Sequence, residues 1–256
     1  MNSRASAAPS AMKTAVLPEW EGDDAPPVHG NWGEIAWNIG RMIGTFRKRG
    51  PRGPLDGQPV LVIPGFLCSD QTTFSLRREL ARAGFRVHGW KQGFNLGAKP
   101  DTLDKLGLRI DGLDREKPIV IVGWSLGGLF GREYARYHPD RVRAIITLGS
   151  PFSGDPRQNN VWPLYERVAK HPVDDPPLPR ITEKPPVPHL ALWSRRDGLI
   201  APRSARGLDH ERDKEVELHC HHMAFGISRR AAKDVVREVD KFLKELDSQG
   251  DNESQD

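Results

Sequence analysis

Residues 118–130, PIVIVGWSLGGLF, constrain the chain more than any other stretch. An unbroken apolar run stops there at the pentapeptide Gly123-Trp124-Ser125-Leu126-Gly127. Ile119, Val120, Ile121 and Val122 are all β-branched, with no polar alternation, which fits a strand covered on both faces by helices in a parallel sheet. After the pentapeptide, Leu129, Phe130, Tyr134 and Ala135 fall at helical spacing until His138-Pro139 ends the helix. This frame puts Ser125 at the C-terminal end of the strand. Glycines at 123, 127 and 128 remove side chains where the turn must pack closely. A lone G-x-S-x-G arises by chance in a chain this long roughly one time in ten; the strand, turn and helix around it are what mark Ser125 as a lifted nucleophile.

Other segments supply the rest of such a sheet. Residues 59–64 (PVLVIP), 85–90, 143–148, 189–193 and 215–219 read as further strands, and helical spacing joins Phe74, Leu76, Leu80 and Ala83. Asp101 is expected to cap a helix with an apolar face of Leu103, Leu106, Ile110 and Leu113. A last helix carries Ala232, Val235, Val236, Val239, Phe242, Leu243 and Leu246. Strands alternating with helices imply a doubly wound, mostly parallel α/β sheet of about six strands, whose chemistry collects at the C-terminal strand ends. Four places meet that rule independently: the loop Gly65 to Cys68, Ser125, Asp197, and His221 or His222.

Outside this frame the chain changes character. Residues 151–188 hold 10 of its 22 prolines and read as an insertion, either an ordinary surface loop or a cap that roofs a pocket. In the cap reading Phe152, Trp162, Leu164 and Tyr165 line the pocket. Residues 1–30 read as a disordered leader and 248–256 as a disordered tail, flanking a domain at 58–247. Within 31–50, Trp32, Ile35, Ala36, Ile39, Met42, Ile43 and Phe46 make one apolar stripe. That helix either packs on the domain or serves as a lid, and 31–48 is a candidate lipid-interface contact.

Composition narrows the partners. Net charge is only +4, with 38 basic residues dispersed among 34 acidic ones, so no nucleic-acid partner is expected. No stretch has the length of a transmembrane span and no apolar signal core opens the chain, which predicts a cytoplasmic protein. Cys68 and Cys220 read as reduced thiols. His219, Cys220, His221 and His222 could be metal ligands, but adjacent positions on one extended segment point different ways, so neither a metal nor a cofactor is expected.

With Ser125, Asp197 and His222 in that order, the chain resembles the α/β-hydrolase superfamily, in its serine esterase and lipase branch. PGFL after the first strand, VHGWKQGFNLG after the second and SRRDGLIAP around the acid extend the likeness over about 59–246, although the family's first two strands are not visible upstream of Pro59. The resemblance implies a catalytic triad of Ser125, Asp197 and His222, and favours His222 over His221. It also implies an oxyanion hole from the N–H groups of Phe66 and Leu126. The expected function is hydrolysis of a small acyl ester through an acyl-enzyme. Alternatives are an acyltransferase using the same residues and a non-catalytic, hydrolase-like binding module.

Overall fold

The structure, a computed structural model, describes residue 53 and residues 57–113 and 116–253. Six parallel strands form one sheet: β1 (Pro59–Ile63), β2 (Arg86–Gly89), β3 (Ile119–Trp124), β4 (Val142–Leu148), β5 (His189–Trp193) and β6 (Lys214–Glu217), in the order β2-β1-β3-β4-β5-β6. The helices are α1 (Phe74–Arg82), α2 (Thr102–Asp111), α3 (Leu126–Tyr137), α4 (Trp162–Ala169), α5 (Pro202–Arg206), α6 (Ala224–Ile227) and α7 (Arg229–Glu253).

The continuous apolar runs divide by the period of two that a strand imposes. Val60, Val62, Val120, Val122, Ala144, Ile146, Leu190 and Leu192 face one side, against Leu76 and Leu80 of α1 and Val235, Val239 and Phe242 of α7. Leu61, Ile63, Ile119, Ile121 and Ile145 face the other, against Leu106 and Ile110 of α2 and Phe130 and Tyr134 of α3. Both faces are therefore dry, which is why no polar alternation appears in the sequence.

The chain leaves β1 towards α1 and leaves β3 towards α3, on opposite faces of adjacent strands. Loops that part in this way open a crevice at the C-terminal strand ends. Here the crevice lies between Gly65–Cys68 and Ser125–Leu126. Register aligns the neighbouring ends, with Trp124 opposite Leu148 and Leu148 opposite Leu192. Ser125 N–H donates to Leu148 O at 2.8 Å and Gly149 N–H to Leu192 O at 2.8 Å, so the ladder continues one residue past each strand.

Residues 149–188 join β4 to β5 and contain α4. Buried Arg132 of α3 holds the far part of this segment, donating from Nη2 to the carbonyls of Thr182 (2.7 Å) and Glu183 (2.9 Å). Arg180 holds the near part, donating to the carbonyls of Pro151, Ser153 and Gly154. Arg132 Nη1 also lies 2.8 Å from His189 Nδ1, whose Nε2 is 3.0 Å from Thr147 Oγ1. An arginine only donates, so Nδ1 accepts and Nε2 carries the proton. Burial and Arg132 hold the His189 pKa well below its ordinary value, keeping the ring neutral.

Two expectations need correction. Asp101 stands at the N-cap position of α2 but makes no side-chain cap bond; its carboxylate pairs with Lys105 one turn on, at 2.7 Å. The tail at 248–256 is helical as far as Glu253, although Ser248, Gly250, Asp251 and Asn252 are poor helix formers and Ser248 Oγ bonds back to Lys244 O at 2.9 Å. The leader at 1–30 and the helix expected over 31–50 lie outside the described residues. No helix among the described residues is long and apolar enough to cross a membrane.

Candidate active site

Ser125 sits between β3 and α3 with φ 53° and ψ −123°, a left-handed conformation that a non-glycine residue adopts only where its surroundings impose it. The flanking glycines supply the imposition. A Cβ on Gly123 would overlap the backbone of Gly128, and one on Gly65 would lie 3.1 Å from the Ser125 Cβ. The turn is thus pressed between β1 and its own helix, and Ser125 borders the crevice.

Asp197 follows β5 and is 1% exposed. Its Oδ1 accepts the N–H groups of Leu199 and Ile200, both at 2.9 Å, and Oδ2 lies 2.7 Å from His222 Nδ1. With the carboxylate accepting from Nδ1–H, the neutral imidazole carries its lone pair on Nε2. The ring is buried and packs against the Trp124 indole, with centroids 5.8 Å apart. His221, by contrast, is exposed, with Nδ1 3.2 Å from Arg196 O. It is therefore His222 that meets the acid.

Ser125 and His222 line one cavity of about 160 Å³ together with Phe66 and Leu126. Phe152, Trp162, Leu164 and Tyr165 are all on its wall. Phe152 is 1% exposed, wedged between Arg132 (4.4 Å from its ring centroid) and the His189 ring, so it is as much a core residue as a lining one. Tyr165 meets Phe66 edge-on at 5.2 Å, and its hydroxyl accepts the Ala98 N–H at 3.2 Å. Leu126, Leu129 and Phe130 continue the apolar wall along α3 to Glu133, whose carboxyl burial pushes above the usual range.

Two residues the sequence did not single out shape this site. Asn95, 1% exposed, clamps the loop after β1: its side-chain amide donates to Pro64 O (2.9 Å), its carbonyl accepts Leu67 N–H (2.7 Å) and its N–H donates to Cys68 O (2.8 Å). Leu67 is held at φ 58° within that clamp. Gly149, at φ +54°, lies under the acid and the histidine; a Cβ there would stand 2.9 Å from Asp197 Oδ2 and 3.1 Å from His222 Nδ1. Its only sequence signal is a glycine directly after a strand.

Both cysteines are free thiols, Cys68 in the cavity wall and Cys220 two residues before His222. Burial pushes each thiol up to about 12, so neither is ionised near neutrality. Among the described residues no three His, Cys, Asp or Glu side chains gather as a metal site.

The model of a family described as "alpha/beta hydrolase fold" matches residues 58–176. A pimeloyl-[acyl-carrier protein] methyl ester esterase of Nitrosospira multiformis is 32% identical over 124 residues, 45% of this chain and 47% of that one. Bifunctional epoxide hydrolase 2 of Sus scrofa is 30% identical over 131 residues, 46% of this chain and 22% of that one. The chain thus spans less than half the length of either curated relative. The carboxylesterase CesB of Bacillus subtilis superposes with a TM-score of 0.53 at 14% identity, covering 82% of this chain and 97% of that one, which is a likeness of fold.

Proposed function

This chain is a member of the α/β-hydrolase superfamily, and from that premise we propose that it is a serine hydrolase of carboxylic esters working through an acyl-enzyme. The observation that carries the reading is the buried 2.7 Å pair of His222 and Asp197, with His222 lining the same cavity as Ser125. A serine hydroxyl is a weak nucleophile near neutral pH. His222 Nε2 takes its proton as Oγ attacks the ester carbonyl, and Asp197 fixes the tautomer and stabilises the imidazolium. His222 then protonates the departing alcohol, and water repeats the sequence on the acyl-enzyme.

The negative charge that develops on the carbonyl oxygen is met by the N–H groups of Leu126 and Phe66. Leu126 opens α3, where a helix leaves its first N–H groups without an intrahelical acceptor. One such donor contributes about 3 kcal/mol in comparable sites. The acyl chain occupies the apolar wall of Leu126, Leu129, Phe130, Trp162 and Leu164 beneath residues 151–188, which act as a cap. Each methylene buried there adds about 0.8 kcal/mol until the cavity is full.

Turnover of p-nitrophenyl esters from acetate to palmitate, by the wild type and by Ser125→Ala, tests the reading. Wild-type turnover that rises to a medium chain length, and its loss in a folded Ser125→Ala protein, are expected. Retention of most activity in that variant would overturn the assignment.

A further inference from the structure

The segment that closes one side of the cavity has a second face. Along 94–98 Asn95 points inward to the loop after β1 and Ala98 lines the cavity, while Phe94 and Leu96 are 49% and 44% exposed. Leu108, on the neighbouring helix α2, is 75% exposed. Of the five large apolar side chains most exposed among the described residues, these three border one depression of about 420 Å³, which argues against chance scatter. Lys91, Lys99, Lys105 and Arg109 line the same depression with Asp101, which pairs with Lys105 at 2.7 Å, while Asp70 accepts the Lys91 N–H and acts on Arg109, so the excess is about two cations.

Apolar side chains set among unbalanced cations define what can cover them. Of the chain's own residues outside the described part, 41–52 are basic and like charge opposes their docking here. Residues 17–24, LPEWEGDD, are acidic, carry Leu17 and Trp20 and are the rival occupant; seated here, they would leave a full-length chain that does not bind vesicles. A second copy would bring the same positive face. The complement is an anionic surface that also accepts hydrocarbon. We propose that Phe94, Leu96 and Leu108, ringed by Lys91, Lys99 and Arg109, seat this protein on anionic lipid bilayers beside its cavity. The choice of lipid over an acidic protein rests on the ester-hydrolase reading, since an apolar cavity selects esters that partition into lipid.

Binding can be measured without turnover. The full-length chain is sedimented with vesicles of phosphatidylcholine alone and of phosphatidylcholine with 30% phosphatidylglycerol. Association with the anionic vesicles, weakening with added salt, is expected. Each lysine near such a surface changes binding about fivefold, so Lys91→Glu/Lys99→Glu should reduce it about 25-fold or more. Phe94→Ser/Leu108→Ser should weaken it at all salt concentrations. All these side chains are exposed, so melting temperature and turnover of a soluble short ester should stay at wild-type values. Equal binding to both vesicle types, no binding at all, or variants that bind like the wild type would each overturn the proposal. Ser125→Ala protein should bind as the wild type does, which separates failure of this surface from failure of the hydrolase reading.

Discussion

Substituting alanine for Gly149 adds one methyl group at the point where the acid and the base meet. The added Cβ would lie 2.9 Å from Asp197 Oδ2, 3.1 Å from His222 Nδ1 and 3.2 Å from the Phe225 ring, so the pair now 2.7 Å apart must part or tilt. Asp197 has little room to yield, because its other oxygen is held by two backbone N–H groups. Two costs follow. A non-glycine residue at φ +54° costs about 1–2 kcal/mol of stability, roughly 2–8 °C in melting temperature for a domain of this size. Misplacing a catalytic group by an ångström costs about 10²-fold, below the ~10⁴ seen when such an acid loses its role. The backbone cost is separable, since Gly84, at φ +98°, has no atom within 4 Å of a Cβ. Gly84→Ala should therefore lower the melting temperature while leaving kcat for a p-nitrophenyl ester unchanged; Gly149→Ala should lower both. Full kcat in Gly149→Ala, or an equal fall in Gly84→Ala, would refute the argument.

Three further outcomes are expected. Asn95→Leu removes the amide bond to Pro64 O and, on the proposed function, should reduce kcat about tenfold or more with KM little changed, because the loop carrying Phe66 N–H, the proposed oxyanion donor, loosens while the proposed acyl wall remains; a change in KM alone would count against it. At pH 7 iodoacetamide should leave turnover intact over times that alkylate free cysteine fully, since thiols raised from 9.0 to about 12 are about 10³-fold less ionised; mass spectrometry detects any adduct. The buried His189 is held neutral with its pKa depressed, so its contribution to stability is present above the unfolded pKa of about 6.5 and is lost as pH falls through that value towards the folded one. Urea unfolding of His189→Gln should therefore show a shallower decline than the wild type between pH 6.5 and 5.

What was legible in the sequence is what burial writes locally. β1 and β5 need every residue apolar or paired and were read to within one residue of their ends. The half-buried edge strand β6, KEVE, was read one to two residues too far along, because no run of apolar residues marks where it stops. Ser125 and Asp197 were singled out by the same logic, Ser125 directly after β3 and Asp197 four residues after β5, each beyond a buried run. Asn95 and Gly149 were not, because their roles depend on partners 31 and 48 residues away, Pro64 and Asp197, which no local pattern encodes.

Those long-range partners come together through sheet register. The ends of β3, β4 and β5 lie level, with Trp124 opposite Leu148 and Leu148 opposite Leu192, so the residues leaving them form a row. In that row Gly149 stands between Ser125 and the turn that carries Asp197. A side chain there would fill the space in which the histidine must reach the acid. The Asp197–His222 pair therefore requires a glycine just after β4 as much as a carboxylate after β5. A shift of β4 by one residue would put Leu148 or Ser150 in that position, each bringing a Cβ where none fits, so the register in which β4 pairs with β3 and β5 also fixes the Asp197–His222 geometry.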